Sequence, residues 1–186
     1  MKILVVVDYQ NDFVNGALGF EGAWRLDASI YSKVRDYIKS GNLVVFTLDT
    51  HESDYLSTRE GRQLPIPHCI RKSQGWQLFG ATGDLYEQIK DSNQVVTIQK
   101  STFAVSPTSL IGHSLFNRRV GENEVTSIEL CGLVTNMCVV SNAVAFQARF
   151  PNAQIVVWGS MVDSFDKELH KKTLDVLEGM QVKVIR

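Results

Sequence analysis

Six short runs of Val, Ile and Leu punctuate this chain, and their spacing limits the fold more than any other feature. They lie at Ile3 to Val7, Leu43 to Leu48, Val95 to Ile98, Val125 to Cys131, Ile155 to Trp158 and Val182 to Ile185. Runs this uniformly apolar read as strands buried on both faces. Helical patterns separate most of them, at Asp27 to Ser40, Thr108 to Arg119, Asn136 to Phe150 and Asp166 to Gly179, the last ending in a glycine that suits a C′ cap. Strand alternating with helix predicts an α/β fold: a doubly wound, six-stranded parallel sheet with helices on both faces.

Right-handed crossovers place every strand's carboxyl end on one edge of such a sheet, and ligands bind outside that edge. Asp8, Asp49, Lys100 and Cys138 all fall at or just after predicted strand ends. One stretch, residues 50–93, breaks the alternation, with a short helical candidate only at Asp84 to Lys90. A long irregular insertion in a compact domain is usually functional or mobile. Without repeats, low-complexity tracts or a linker, residues 1–186 read as one domain carrying that insertion.

Composition narrows the partners. The 19 basic and 20 acidic side chains give a net charge of −1 and leave no basic stripe for a phosphate backbone, so nucleic acid is not expected. The N-terminal apolar run stops at Asp8, far short of a signal-peptide core or the roughly 20 residues of a membrane span, so no membrane association is expected. Cys69, Cys131 and Cys138 are an odd number without framework spacing. A reducing compartment, the cytoplasm, fits best.

The segment from Leu130 to Val139 reads as strand, Gly-containing turn, and a cysteine opening a helix. Unpaired N–H groups and the positive end of the macrodipole at such a position favour a thiolate and can receive an oxyanion. Cys138 is therefore the candidate nucleophile, although a cysteine also packs well as a small hydrophobe. Cys69 and Cys131 are assigned to packing.

Asp8-Tyr-Gln-Asn-Asp-Phe13, Lys100 followed by Ser-Thr-Phe103-Ala-Val-Ser, and Gly132-Leu-Val-Thr-Asn-Met-Cys138-Val resemble the three signatures of the isochorismatase-like cysteine hydrolases, the superfamily that includes nicotinamidases. The tail Asp163-Ser-Phe-Asp-Lys-Glu-Leu-His170 is similar to that family's entry into its last helix, so the resemblance spans nearly the whole chain. It implies a triad of Asp8, Lys100 and Cys138. Lys100 would lower the thiol pKa toward the roughly 3.5–7.5 range of activated cysteines, and Asp8 would move the proton. Attack on a carboxamide would lead through a tetrahedral oxyanion to a thioester. The resemblance places the oxyanion amides at Val134, Thr135 and Cys138, arranged by a non-proline cis peptide at Val134–Thr135.

The same resemblance implies a divalent-metal site, zinc first, built from Asp49, His51 and His68. Residues two apart in an extended chain point the same way, so Asp49 and His51 can converge on one ion; iron or manganese suits the same ligands. Glu60 is either a fourth ligand, as in a nicotinamidase subgroup, or solvent-facing. Thr50 and the stretch from Glu52 to Tyr55 depart from the commonest pattern, which has Trp in the former place and a further His in the latter. His113 and His170 read as surface or hydrogen-bonded residues.

Phe13, Phe103 and Trp76 are candidate walls for a flat ring. The activity implied is hydrolysis of nicotinamide or a close heteroaromatic carboxamide. Alternatives are a related hydrolase of another small amide, carbamoyl or ureido compound, and a non-catalytic binding module. Family resemblance also implies a homo-oligomer.

Overall fold

The computed structural model describes residues 1–112 and 125–186. Six parallel strands form one sheet in the order β3-β2-β1-β4-β5-β6: β1 (Lys2–Val7), β2 (Leu43–Asp49), β3 (Val95–Lys100), β4 (Ser127–Leu133), β5 (Gln154–Asp163) and β6 (Lys183–Ile185). Every residue of β2 is buried, and in β1 only Lys2 is exposed, as expected of strands covered on both faces.

The helices are α1 (Asn11–Val14), α2 (Asp27–Lys39), α3 (Arg59–Gln63), α4 (Gly80–Ile89), α5 (Pro107–Gly112), α6 (Val140–Arg149) and α7 (Lys167–Gly179). One layer packs Ile30, Val34 and Tyr37 of α2, with Leu85 of α4, against Leu4, Val6, Val44 and Phe46. The other packs Leu110 of α5, Phe146 of α6 and Leu174 and Leu177 of α7 against Ile3, Val5, Val45, Ile128 and Val157. The strand order reverses direction between β1 and β4, so their carboxyl ends flank the switch point where doubly wound sheets place their ligands.

Three sequence expectations need correction. The apolar run at Ile155 to Trp158 underestimates β5, because Gly159-Ser160 interrupts the run without ending the strand: the register with β4 jumps from Leu130↔Val157 to Gly132↔Val162. Such a bulge lets a strand continue past residues that break its pattern. Gly179 is not the C′ cap. It is still helical, and the left-handed residue is Gln181 (φ 68), where the Val182 N–H bonds the Leu177 carbonyl and the Gln181 N–H bonds the Glu178 carbonyl, the paired bonds of a Schellman motif. The insertion is also less irregular than its composition suggests, since it holds α3, α4 and an isolated parallel bridge between His51 and Ile70. The predicted helix at Thr108 to Arg119 begins as α5, and its remainder, like His113, lies outside the described residues.

Candidate active site

Four of the six strands, β1 to β4, each deliver one functional group at or after their carboxyl ends. Asp8 follows β1 with its backbone in the left-handed region (φ 44), a conformation uncommon for any residue but glycine and tolerated best by Asp and Asn. The turn is held because the Asp8 N–H bonds the Thr47 carbonyl and the Thr47 hydroxyl donates to Asp8 Oδ1 at 2.6 Å. Lys100 ends β3, in register with Asp49 at the end of β2. Its Nζ stands 2.6 Å from Asp8 Oδ2, 3.4 Å from Asp49 Oδ1 and 3.7 Å from Cys138 Sγ.

Cys138 reaches this cluster through a tight turn. Gly132 has φ +109, and a Cβ there would lie 2.1 Å from the Val7 carbonyl oxygen, so β4 can approach β1 this closely only with glycine. A cis peptide follows at Leu133–Val134, one bond earlier than the sequence reading placed it. Val134, the second residue of that bond, is the N-cap of the next helix. The helix opens with a π-helical turn, Thr135–Val139. There the Val134 carbonyl accepts from the Met137 and Val139 N–H groups, both at 3.1 Å, and not from Cys138. A widened turn of this kind is frequent at functional sites.

Burial governs the protonation states. It pushes the Cys138 thiol well above its ordinary value; Lys100 opposes this, while the Asp8 and Asp49 charges and a hydrogen bond to Asp8 add to it. Burial therefore works against the ionised thiol that the sequence suggested Lys100 would favour. A single ammonium shared among two carboxylates and the sulfur leaves too little positive charge to offset desolvation. Burial likewise raises the Asp8 carboxyl, with Asp49 adding and Lys100 and Thr47 opposing. Lys100 would be lowered by burial, but Asp8, Cys138 and Asp49 hold it firmly protonated. Desolvation thus opposes ionisation of both the thiol and the Asp8 carboxyl, and the Lys100 ammonium works against it in each.

Beside it lie the groups expected to hold a metal. One ligand atom from each of Asp49, His51, Glu60 and His68 falls within 4.8 Å of the others. Asp49 Oδ2 is 3.1 Å from His51 Nε2 and 3.3 Å from His68 Nε2, and Glu60 Oε1 is 3.8 Å from His51 Nε2. Glu60 turns toward the cluster because Thr58 caps α3, accepting the Gly61 N–H at 2.9 Å, which aims the first helical turn inward. His68 Nδ1 donates to the Ile66 carbonyl at 2.8 Å, so in the neutral ring Nε2 presents a lone pair to the cluster. Three acidic groups, Asp8, Asp49 and Glu60, face the single Lys100 ammonium, an excess of acidic over basic side chains in a largely buried space. A divalent cation fits that excess and that donor set.

Thiol and cluster share one cavity of about 300 Å³, whose polar end is Asp49, Glu60, His68 and Cys138 and whose walls include Phe13, Leu18, Leu64, Phe103, Met137 and Phe165. Phe13 stands edge-on to His68, ring centroids 5.5 Å apart, and Phe103 sits at the rim, 43% exposed. Trp76 is not a wall. Its indole N–H donates to Thr50 Oγ1 at 2.8 Å and its carbonyl accepts from Gln10 Nε2, which pins it beneath the Asp49–His51 segment. Sequence reasoning missed Leu18, Leu64, Met137 and Phe165; Met137 and Phe165 lay inside segments already singled out, but nothing in their identity separated wall from core.

Gln10 is a further residue of consequence. Its buried amide receives the Asp49 N–H at 2.8 Å and donates to the Asp49 carbonyl at 2.9 Å, fixing the backbone of that carboxylate from both sides. Asp12 does the same for the segment bearing His68, accepting the Cys69 N–H at 2.7 Å. His170 is half-buried and hydrogen-bonded to Thr135. No helix among the described residues is long and apolar enough to cross a membrane.

Comparison with known proteins agrees with this geometry. The family model described as "Isochorismatase domain" matches residues 2–186. A Bacillus subtilis (strain 168) protein described as "Uncharacterized isochorismatase family protein PncA" is 30% identical over 173 residues, covering 91% of this chain and 90% of that one. The crystal structure of a nicotinamidase/pyrazinamidase PncA from Bacillus subtilis superposes with a TM-score of 0.87 at 31% identity, covering 100% of this chain and 99% of that one. A pyrazinamidase/nicotinamidase from Streptococcus mutans UA159 gives 0.85 at 26% identity, with 100% of both chains covered. With the family model matched over residues 2–186 and a relative 30% identical over 91% of its length, this chain belongs to the isochorismatase family.

Proposed function

We propose that this protein is a cysteine-dependent amidohydrolase whose substrate is nicotinamide, which it converts to nicotinate and ammonia. One observation carries the reading: the Cys138 thiol, backed by the buried Asp8 and Lys100, opens onto the same apolar cavity as Asp49, Glu60 and His68 of the two-imidazole, two-carboxylate cluster. A flat heteroaromatic carboxamide matches that division, its ring between apolar walls and its polar atoms at the polar end.

Asp8 is the base. Raised by burial yet held as a carboxylate by Lys100, it takes the Cys138 proton as Sγ attacks the carboxamide carbon, so the thiolate forms only in the act of attack. The Cys138 amide, passed over by the Val134 carbonyl, and the Thr135 amide at the start of the turn are the candidate donors to the oxyanion. Asp8 then returns the proton to nitrogen as the C–N bond breaks and ammonia leaves. Water, deprotonated by Asp8, opens the thioester to nicotinate and restores the thiol. Throughout, Lys100 keeps Asp8 oriented and compensates its charge.

A divalent cation held by Asp49, His51, Glu60 and His68, with zinc best matched to those donors, supplies when bound a Lewis-acid contact for a ring nitrogen. The protein residues that complete the ring's placement are Phe13 and Phe103.

The test is ammonia release by metal-loaded protein from nicotinamide and, in parallel, from carbamoyl and ureido compounds of similar size. The proposal expects kcat/KM for nicotinamide to exceed the others by at least about 100-fold, the discrimination available from burying or stranding polar groups. Equal or better turnover of an aliphatic carbamoyl compound would overturn the substrate assignment.

A further inference from the structure

The nucleophile's helix begins without a side-chain N-cap, although its first turn carries the amides the reaction needs. Two hydrogen bonds tie that turn down instead, one to the segment linking β5 to α7 and one to α7 itself. The Thr135 hydroxyl meets His170 Nδ1 at 2.8 Å, and Ser164 Oγ donates to Asn136 Oδ1 at 2.6 Å. Thr135 and Ser164 are fully buried. His170 itself sits at the inner end of an open depression of about 600 Å³ that also exposes Arg25, Asp163 and Lys167.

We propose that His170 is a positioning residue for the proposed amidase reaction: through the Thr135 hydroxyl it fixes the first turn that presents Cys138 and the oxyanion amides. The inference rests on Cys138 being the nucleophile. Hydroxyl and Nδ1 form one hydrogen bond, its direction set by the ring tautomer. Burial together with Lys167, Arg186 and Lys171 lowers the ring's pKa against the pull of Asp163. Thr135 is the first residue of the π-helical turn and Cys138 lies three residues on, so a rotation of the Thr135 peptide moves amides that must sit within a few tenths of an ångström of a developing oxyanion. Since His170 does not line the catalytic cavity, its loss acts on the chemical step and leaves substrate binding alone.

The test compares kcat and KM for nicotinamide in His170→Ala, His170→Asn, Thr135→Val and the double variant Thr135→Val/His170→Ala, with Cys138→Ala setting zero turnover and thermal melts reporting the fold. His170→Ala and Thr135→Val are each expected to lower kcat about tenfold with KM changed less than about twofold. The double variant should fall no further than either single one, because both remove the same bond. His170→Asn, whose amide can replace Nδ1, should recover to within about threefold of the parent. KM rising in step with the loss of kcat, a multiplicative double variant, or an unaltered kcat overturns the positioning role. If His170→Ala does not fold, a His170→Asn variant that folds but loses tenfold or more in kcat overturns it as well. A parent that releases no ammonia refutes the nicotinamidase reading instead. The bond is then read from the rate of Cys138 alkylation by iodoacetamide, expected to change at least about threefold in Thr135→Val and in His170→Asn to stay near the parent; an unchanged rate in Thr135→Val overturns it.

Discussion

Lys100 Nζ lies 2.6 Å from Asp8 Oδ2 with both side chains sealed from solvent, and the same ammonium reaches Asp49 Oδ1 at 3.4 Å. One cation thus joins the proposed base to the first residue of the proposed ligand cluster. Breaking a buried pair by removing one partner strands the other's charge, at a cost of about 3–5 kcal/mol. Lys100→Ala is expected to lose that much stability in urea unfolding of the metal-free protein. A loss under about 1 kcal/mol, the size of an exposed pair, would mean that water reaches these carboxylates.

The four-ligand cluster predicts one divalent cation per chain and a native state that is stabilised by it. At a free ion concentration 100 times Kd, binding contributes about 2.7 kcal/mol. Zinc is expected to raise the melting temperature of chelator-treated protein, and His51→Ala or His68→Ala to abolish the increase. Equal stabilisation of the parent and both variants would place the ion elsewhere.

In the metal-free protein the Cys138 thiol, raised by burial, should react with iodoacetamide at pH 7 more slowly than a model thiol, and Lys100→Ala should slow it further by removing the one charge that favours thiolate. Faster labelling than the model thiol would restore the pre-ionised thiolate that the sequence suggested.

Far from the site, Glu129 of β4 accepts from Lys33 Nζ and Trp158 Nε1, each at 2.7 Å. Burial pushes this carboxyl up, but the Lys33 and Trp158 hydrogen bonds and the Lys33 charge outweigh it, so the folded-state pKa lies below the ordinary carboxylate value. The stability it contributes is complete above the unfolded-state value of about 4.3 and disappears as pH falls through the folded-state value. Glu129→Gln should be destabilised by about 1–3 kcal/mol at pH 7, and the difference from the parent should shrink on acidification toward pH 3. A difference that stays constant with pH would exclude the ion pair as its source.

Gln181 holds a left-handed C′ position (φ 68) at the end of α7. Gln181→Gly removes the Cβ penalty there and should raise stability by about 0.5–1 kcal/mol, checked by urea unfolding. Destabilisation would show that the Gln side chain makes contacts that offset its strain.

The strands and the strand-end groups were legible because parallel strands buried on both faces leave an unmistakable apolar run, and a charge that ends such a run must stand at the sheet edge. Asp8, Asp49 and Lys100 needed no more than that. The features missed depend on tertiary context. Gly159-Ser160 reads as a stop although β5 bulges through it, and Gly179 reads as a cap although the chain turns two residues later. Trp76 reads as a ring-stacking wall, yet its N–H is committed to Thr50. Ionisation of Cys138 could not be inferred from a neighbouring lysine, because Asp8 and Asp49 share that lysine and only the folded chain shows how.

The central claim, that Cys138 carries the acyl group, is tested most directly by acid-quenching the metal-loaded protein during nicotinamide turnover and mapping the modified peptide by mass spectrometry. The account predicts a nicotinoyl thioester on Cys138, labile to hydroxylamine, with neither adduct nor ammonia release in Cys138→Ala. Ammonia release that survives in Cys138→Ala would contradict it.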